Sequence, residues 1–106
     1  MNQNDPPTEH ILACLSSSPS NAKIVRTAAT MAKAFGGTFT ALYVRTPDSD
    51  QMGKEDCRRL QQHIRMAEQA GADISTIYGD DIPQQIAEFA RISGITKFVL
   101  GSSSVH

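Results

Sequence analysis

The chain has no tryptophan, only two cysteines and a net charge of −1. Cys14 and Cys57 stand far apart with no Cys-x-x-Cys pair, so neither a disulfide framework nor a zinc site is indicated. Near-neutrality gives no field to gather polyanions, which argues against a nucleic-acid duplex as partner. No apolar run approaches the roughly 18 residues that span a bilayer, so this segment is not expected to enter a membrane. The opening Met1-Asn2-Gln3-Asn4-Asp5 lacks the basic start and apolar stretch of an export signal, which predicts a cytoplasmic location. There is no GxGxxG and no GxxxxGK[ST], so a Rossmann dinucleotide site or a Walker loop is unsupported. His10, His63 and His106 have no evident carboxylate or nucleophile partner in the sequence, and no catalytic residue is assigned. His63 reads as part of a solvated helix face. Cys14 and Cys57 read as buried small hydrophobes. Asp80-Asp81 reads as a helix start rather than a metal site, since a helix N-terminus favours carboxylates anyway; no metal ligand is assigned.

What is present is the composition of one small globular domain: 106 residues, 40% hydrophobic and 20% charged. Residues 1–8, with paired prolines, read as a flexible N-terminal linker, and 9–106 as the domain. His10 to Leu15 is a short apolar run with little alternation, as expected of a strand buried on both faces of a parallel sheet. From Ala22 to Phe35 apolar residues recur at helical spacing, with Ser20 or Asn21 placed to cap the helix and Gly36-Gly37 to stop it. Thr38 to Val44 is a second strand, rich in β-branched and aromatic residues. Lys54 to Ala70 is a second helix with Cys57, Leu60, Ile64 and Ala67 inside, and Arg58, Arg59 and Arg65 on a solvated face. Asp73 to Tyr78 alternates as a strand nearer the sheet edge. Asp81 and Pro83 start a third helix with Ile82, Ile86, Phe89 and Ala90 inside; Gly94 ends it, and Thr96 to Leu100 is a fourth strand.

The order β-α-β-α-β-α-β with short connections predicts a three-layer α/β/α, Rossmann-like parallel sheet with strand order 3-2-1-4. Phe35, Phe89 and Phe98 are expected in its core. The sequence stops just after the fourth strand, so a last helix and strand are expected to be missing, and pairing of the exposed edge in a homodimer is an expected consequence. In such sheets ligands collect at the carboxyl ends of strands, where strand order reverses. Two serine-rich loops fall at such ends, Ser16-Ser17-Ser18 and Gly101-Ser102-Ser103-Ser104, where hydroxyls and free N–H groups suit a phosphate or a ribose. Serines that merely make ordinary loops and caps are the alternative.

These residues resemble a universal stress protein domain. Ile11-Leu12-Ala13-Cys14-Leu15-Ser16 stands where that family has its first strand and nucleotide-loop aspartate, and Val99-Leu100-Gly101-Ser102 resembles the start of its phosphate loop. The similarity is closer to one branch, the stress-protein domain of the KdpD-type osmosensitive potassium sensor histidine kinases. Lys23 to Ala29 resembles its first helix and Phe39 to Val44 its second strand. Two positions depart from the ATP-binding members: Ser16 replaces the aspartate, and Ser104 stands where the loop's second glycine would be. Both weigh against ATP, because a sugar-contacting carboxylate is missing and the triphosphate cradle is incomplete.

In Gram-positive kinases of this branch the domain is a receptor for cyclic di-AMP, associated with a Ser-x-Ser pair followed after twenty residues by Phe-Thr-Ala-x-Tyr. Here Ser16-Ser17-Ser18 is followed at that spacing by Phe39-Thr40-Ala41-Leu42-Tyr43. The resemblance therefore implies a cytoplasmic ligand-sensing domain of a plasma-membrane kinase in a two-component potassium or osmotic response. It implies no cofactor and no catalysis by the domain itself, and as partners a nucleotide second messenger and the kinase's other domains. The ligand-binding candidates are Ser16, Ser18, Phe39, Thr40, Ala41, Tyr43, Ser102 and Ser103, with Arg45 as a further countercharge. Phe39 lies about 13 Å back from Tyr43 at strand rise and reads as core. Backbone groups around Ala41 to Tyr43 are expected to read an adenine edge. A ligand-free docking or dimerisation module and an ATP-binding stress protein are the competing readings.

Overall fold

The computed structural model describes residues 9–100, so the linker reading of 1–8 and the candidates Ser102 and Ser103 lie outside the described residues. The elements are β1 (His10–Cys14), α1 (Asn21–Phe35), β2 (Thr38–Arg45), a 3₁₀ turn (Asp48–Gln51), α2 (Lys54–Gln69), β3 (Asp73–Tyr78), α3 (Ile82–Ser93) and β4 (Lys97–Val99). The four strands form one sheet in the order β3-β2-β1-β4, all pairs parallel, as the alternating pattern predicts. Right-handed crossovers then put α1 and α2, which step outward from β1 to β3, on one face, and α3, which steps back to β4, on the other.

The core follows that division. Ile11, Leu12 and Ala13 of β1 are fully buried. They alternate between a larger cluster under α1 and α2, which takes Ile11, Ala13, Phe39, Ala41 and Val99, and a smaller one under α3 around Leu12, Leu42 and Val44. Ala13 and Ala41 are register partners, and with Ala28 and Ala67 of the helices they form a buried floor of small side chains that permits close helix-on-sheet packing.

Helix ends behave as the local chemistry dictates. Gly36 and Gly94 take the left-handed conformation at φ 65° and 69° and stop α1 and α3. Asp81 caps α3, its Oδ1 accepting from the Gln84 N–H at 3.2 Å, with Pro83 in the first turn. Gly37 has a separate reason to be glycine: a Cβ there would collide with the backbone of Glu9, whose carbonyl accepts the Thr38 N–H.

Several expectations about the core are corrected. Phe35 and Phe98 are 51% and 45% exposed. Phe35 is the last residue of α1 and its ring lies beside the Lys97 ammonium, 5.0 Å from the centroid. Phe98 shares the face of Leu12, but Ile86 and Phe89 of α3 sit over Leu12, Leu42 and Val44 and leave it uncovered. Ile82, the first residue of α3, is exposed at the edge of an open cleft, whereas Phe89 is half-buried. Cys57 is exposed, its thiol turned toward the Met52 carbonyl. His63 is buried.

Candidate functional site

A cleft of about 410 Å³ opens at the carboxyl ends of β1 and β2. That volume lies within the range of small-molecule sites. One wall is the loop after β1, with Cys14, Ser16 and Ser17; the floor is Leu42, Tyr43 and Val44; the opposite wall is Thr46, Asp48, Ser49 and Met52; Ile82 and Ile86 close one side. The position follows from topology, since the loops that leave β1 and β2 must rise at this edge before turning back into helices.

The serine loop is held from outside itself. Asn21, 1% exposed, accepts the Ser16 N–H on Oδ1 at 3.1 Å and donates from Nδ2 to the Cys14 carbonyl at 2.8 Å. Asn21 thus closes the loop instead of capping α1, and Ser20, at the cap position, makes no side-chain cap bond. From α2, His63 Nδ1 lies 2.7 Å from the Ser16 carbonyl and Arg59 donates to the Ser17 carbonyl at 3.0 Å. A carbonyl can only accept, so His63 carries its proton on Nδ1. Within the loop, Ser16 Oγ accepts the Ser18 N–H and Ser18 Oγ pairs with Ser20 Oγ. Among the described residues the Ser16 hydroxyl donates to no partner, and Ser16 lines the cleft.

The opposite wall is also self-bonded. Thr46 and Ser49 exchange side-chain and backbone hydrogen bonds, with Ser49 Oγ donating to the Thr46 carbonyl at 2.8 Å. Arg45 pairs with Asp50 at 2.6 Å and lies 5.8 Å from the Tyr78 ring centroid. The hydrogen bond to the Asp50 carboxylate, followed by its charge, raises the Arg45 pKa above the ordinary guanidinium value. Arg45 is therefore already neutralised by a neighbour and does not line the cleft. Among the described residues the cleft contains Asp48 and no cation, so an anion there would rely on hydroxyls and on the N-terminal end of α3. Burial pushes the Cys14 thiol above its usual range, which lowers its reactivity.

The predicted residues divide three ways. Ser16 and Tyr43 meet in the cleft, joined by Ser17, whereas Ser18 stands exposed on the loop. Phe39, Ala41 and Tyr43 share one face of β2, but Phe39 and Ala41 are buried under the helices, and only Tyr43 reaches the cleft. Ala41 is paired in register with Ala13 on one side and Ile74 on the other, which engages the backbone there in the sheet. Thr40 is half-buried toward the amino end of β2. The residues not anticipated are Asn21, Arg59 and His63. His63 had a signal in its spacing: it lies three after Leu60 and four before Ala67, on the buried stripe of α2. Among the described residues no group of three or more His, Cys, Asp or Glu is placed to hold a metal ion. No helix among them is long and apolar enough to cross a membrane.

Comparison with known proteins places this architecture. The universal stress protein family profile matches residues 7–105. Sensor protein KdpD of Clostridium acetobutylicum is 38% identical over 96 residues, covering 91% of this chain but 10% of its own length. The chain thus spans about a tenth of that relative. Among solved structures, a universal stress family protein from Burkholderia pseudomallei aligns with a TM-score of 0.70 at 19% identity, covering 92% of this chain and 85% of the other. A universal stress protein in complex with cAMP aligns at 0.69 and 17% identity, covering 92% and 75%. With its parallel order β3-β2-β1-β4 and this extent of sequence match, the chain belongs to the universal stress protein family.

Proposed function

We propose that the chain is the ligand-sensing domain of a KdpD-type sensor histidine kinase, on the cytoplasmic side, and that it binds cyclic di-AMP in the cleft at the carboxyl ends of β1 and β2. The observation that carries the reading is the convergence of Ser16 and Tyr43, the two ends of the serine–FTALY pattern, on one cleft. The match to a KdpD protein supports the parent class, and the structural relative that holds cAMP supports an adenine nucleotide as the kind of ligand. Tyr43 offers a ring for stacking, the apolar side chains of Ile82 and Ile86 offer surface for a base, and the Ser16 and Ser17 hydroxyls offer donors to a phosphodiester. Ser102 and Ser103 would complete a phosphate contact after β4. Phe39, Thr40 and Ala41 act as packing that fixes β2 rather than as ligand contacts. ATP is disfavoured, because among the described residues no cation lines the cleft to balance a triphosphate.

The role proposed is binding: among the described residues the cleft is lined by hydroxyls and apolar side chains that suit a bound nucleotide. The kinase's other domains are the partners that would read the ligand. The exposed side chains Ile92, Phe98 and Leu100 favour a second reading, a module that only docks against those domains. Isothermal titration of the 106-residue chain with cyclic di-AMP, ATP and cyclic di-GMP separates the two. Saturable one-site binding of cyclic di-AMP, with neither competitor matching it, is expected. A folded chain that binds none of the three overturns the sensing reading and leaves the docking one.

A further inference from the structure

We propose that His63 and Arg59 of α2 are positioning residues for the ligand loop, and that they make α2 the element through which the occupied cleft is read out. This rests on the cyclic di-AMP reading of the cleft. The loop that carries Ser16 and Ser17 is the kind of segment that ordinarily moves, being short, polar and at the surface. Here its carbonyls are fixed by side chains from an element more than forty residues away: His63 Nδ1 to Ser16 at 2.7 Å and Arg59 to Ser17 at 3.0 Å. The two donors lie four residues apart, one above the other on the face of α2 toward the loop. Asn21 holds the same loop from α1 through the Ser16 N–H.

The Ser16 peptide is therefore gripped on both sides, N–H by α1 and C=O by α2, and its hydroxyl is aimed by groups that do not themselves line the cleft. His63 is 5% exposed and has no place in the lining, so its burial is explained by this bond and not by contact with a ligand. Arg59 is further fixed by Asp56 at 3.2 Å. A ligand that pulls on Ser16 or Ser17 pulls on α2, whose outer face bears Arg58, Gln62 and Arg65, exposed and available to another domain.

Two variants and a conservative rescue test this. His63→Leu keeps the bulk and removes the donor; His63→Asn places an amide N–H near the position of Nδ1; Arg59→Met removes the second grip at a half-exposed site. In the ligand-free chain, amide hydrogen exchange at Ser17 and Ser18 is expected to accelerate at least about tenfold in His63→Leu while β1 and β2 remain protected. Cyclic di-AMP affinity should fall about tenfold or more in His63→Leu, recover to within about threefold in His63→Asn, and fall by a smaller factor in Arg59→Met. Nitrogen NMR of the native imidazole should show the Nδ1–H tautomer. Folded His63→Leu with native loop exchange, or with native affinity, overturns the proposal; if His63→Leu does not fold, native exchange and affinity in Arg59→Met overturn it. A native chain that binds no cyclic di-AMP overturns the ligand reading, and the exchange measurement still decides whether the grip exists.

Discussion

The two ends of the sheet carry two cavities, and the larger one is at the end where a nucleotide is least favoured. At the amino end a cavity of about 620 Å³ lies between Ala29, Lys33, Gly37, Thr38, Ala70 and Asp73. It faces the C-termini of α1 and α2, the negative ends of both helices, and Asp73 adds a carboxylate against the single ammonium of Lys33. At the carboxyl end the cleft is smaller, about 410 Å³, but it is lined by Ile82 in the starting turn of α3 and by Ser16, Ser17 and Ser49. Volume alone would pick the amino end; the direction of the helices favours the carboxyl end for the proposed phosphodiester.

The ends also differ in how their polar groups are used. At the amino end side chains tie strand to strand: Thr96 donates to the Glu9 carboxylate at 2.6 Å and accepts the His10 N–H at 3.0 Å, while His10 Nδ1 meets Thr38 Oγ1 at 2.7 Å. Their capacity is spent on one another. At the carboxyl end Asn21, Arg59 and His63 bond the backbone, and among the described residues the Ser16 and Ser17 hydroxyls donate to no partner. One end is a clasp and the other a cradle.

The largest effect that would break this contrast is loss of the loop's anchor. Asn21→Ala leaves the Ser16 N–H and the Cys14 carbonyl unpaired in a part-buried site, and should cost roughly 2–4 kcal/mol of stability in urea unfolding. Gly37→Ala tests the clasp, because its Cβ would force the Glu9 backbone away from Thr38. Stability should fall by about 1–3 kcal/mol with cyclic di-AMP affinity per folded molecule unchanged. Ser16→Ala with Ser18→Ala tests the cradle: binding should weaken by about 1–3 kcal/mol with stability nearly kept. Ser16→Ala alone should account for most of that, since Ser18 stands outside the lining.

Thiol labelling gives a finer separation. Cys57, exposed, should react with iodoacetamide first, and Cys14 should follow only at higher pH, because burial raises its pKa. A raised thiol pKa favours the folded state's protonated form. Stability from this group is therefore complete below the unfolded thiol's pKa and is lost as pH rises through the folded one. Cyclic di-AMP should slow Cys14 and leave Cys57 untouched. Smallest of all, Arg58→Ala removes an exposed pair with Glu55 on α2 and should change stability by no more than about 0.5 kcal/mol.

Strand order and helix positions were legible because two periodicities alternate cleanly, and because β1 reads as buried on both faces. The core aromatics were not: Phe35 falls on the apolar stripe of α1 but is its last residue, and whether Phe98 is covered depends on where α3 crosses the sheet, which no local pattern encodes. In the site, the serine loop and Tyr43 were legible from their motif. Asn21 was seen only as a cap, because a side chain that turns back to Cys14 and Ser16 looks the same in sequence as one that bonds the helix. His63 and Arg59 were read as solvated since their neighbours are charged. Their partners are backbone carbonyls after β1, and backbone acceptors leave no trace in a sequence.

The two ends can be separated in one experiment: a ¹⁵N-labelled chain titrated with cyclic di-AMP and followed by amide chemical shifts. Saturable shifts at Ser16, Ser17, Tyr43, Thr46 and Ser49, extending to His63 and Arg59 on α2, with Thr30, Gly37, Thr38 and Asp73 unmoved, are the predicted result. Shifts confined to the amino-end residues, or none at a saturating excess of ligand, would contradict the assignment of the carboxyl-end cleft.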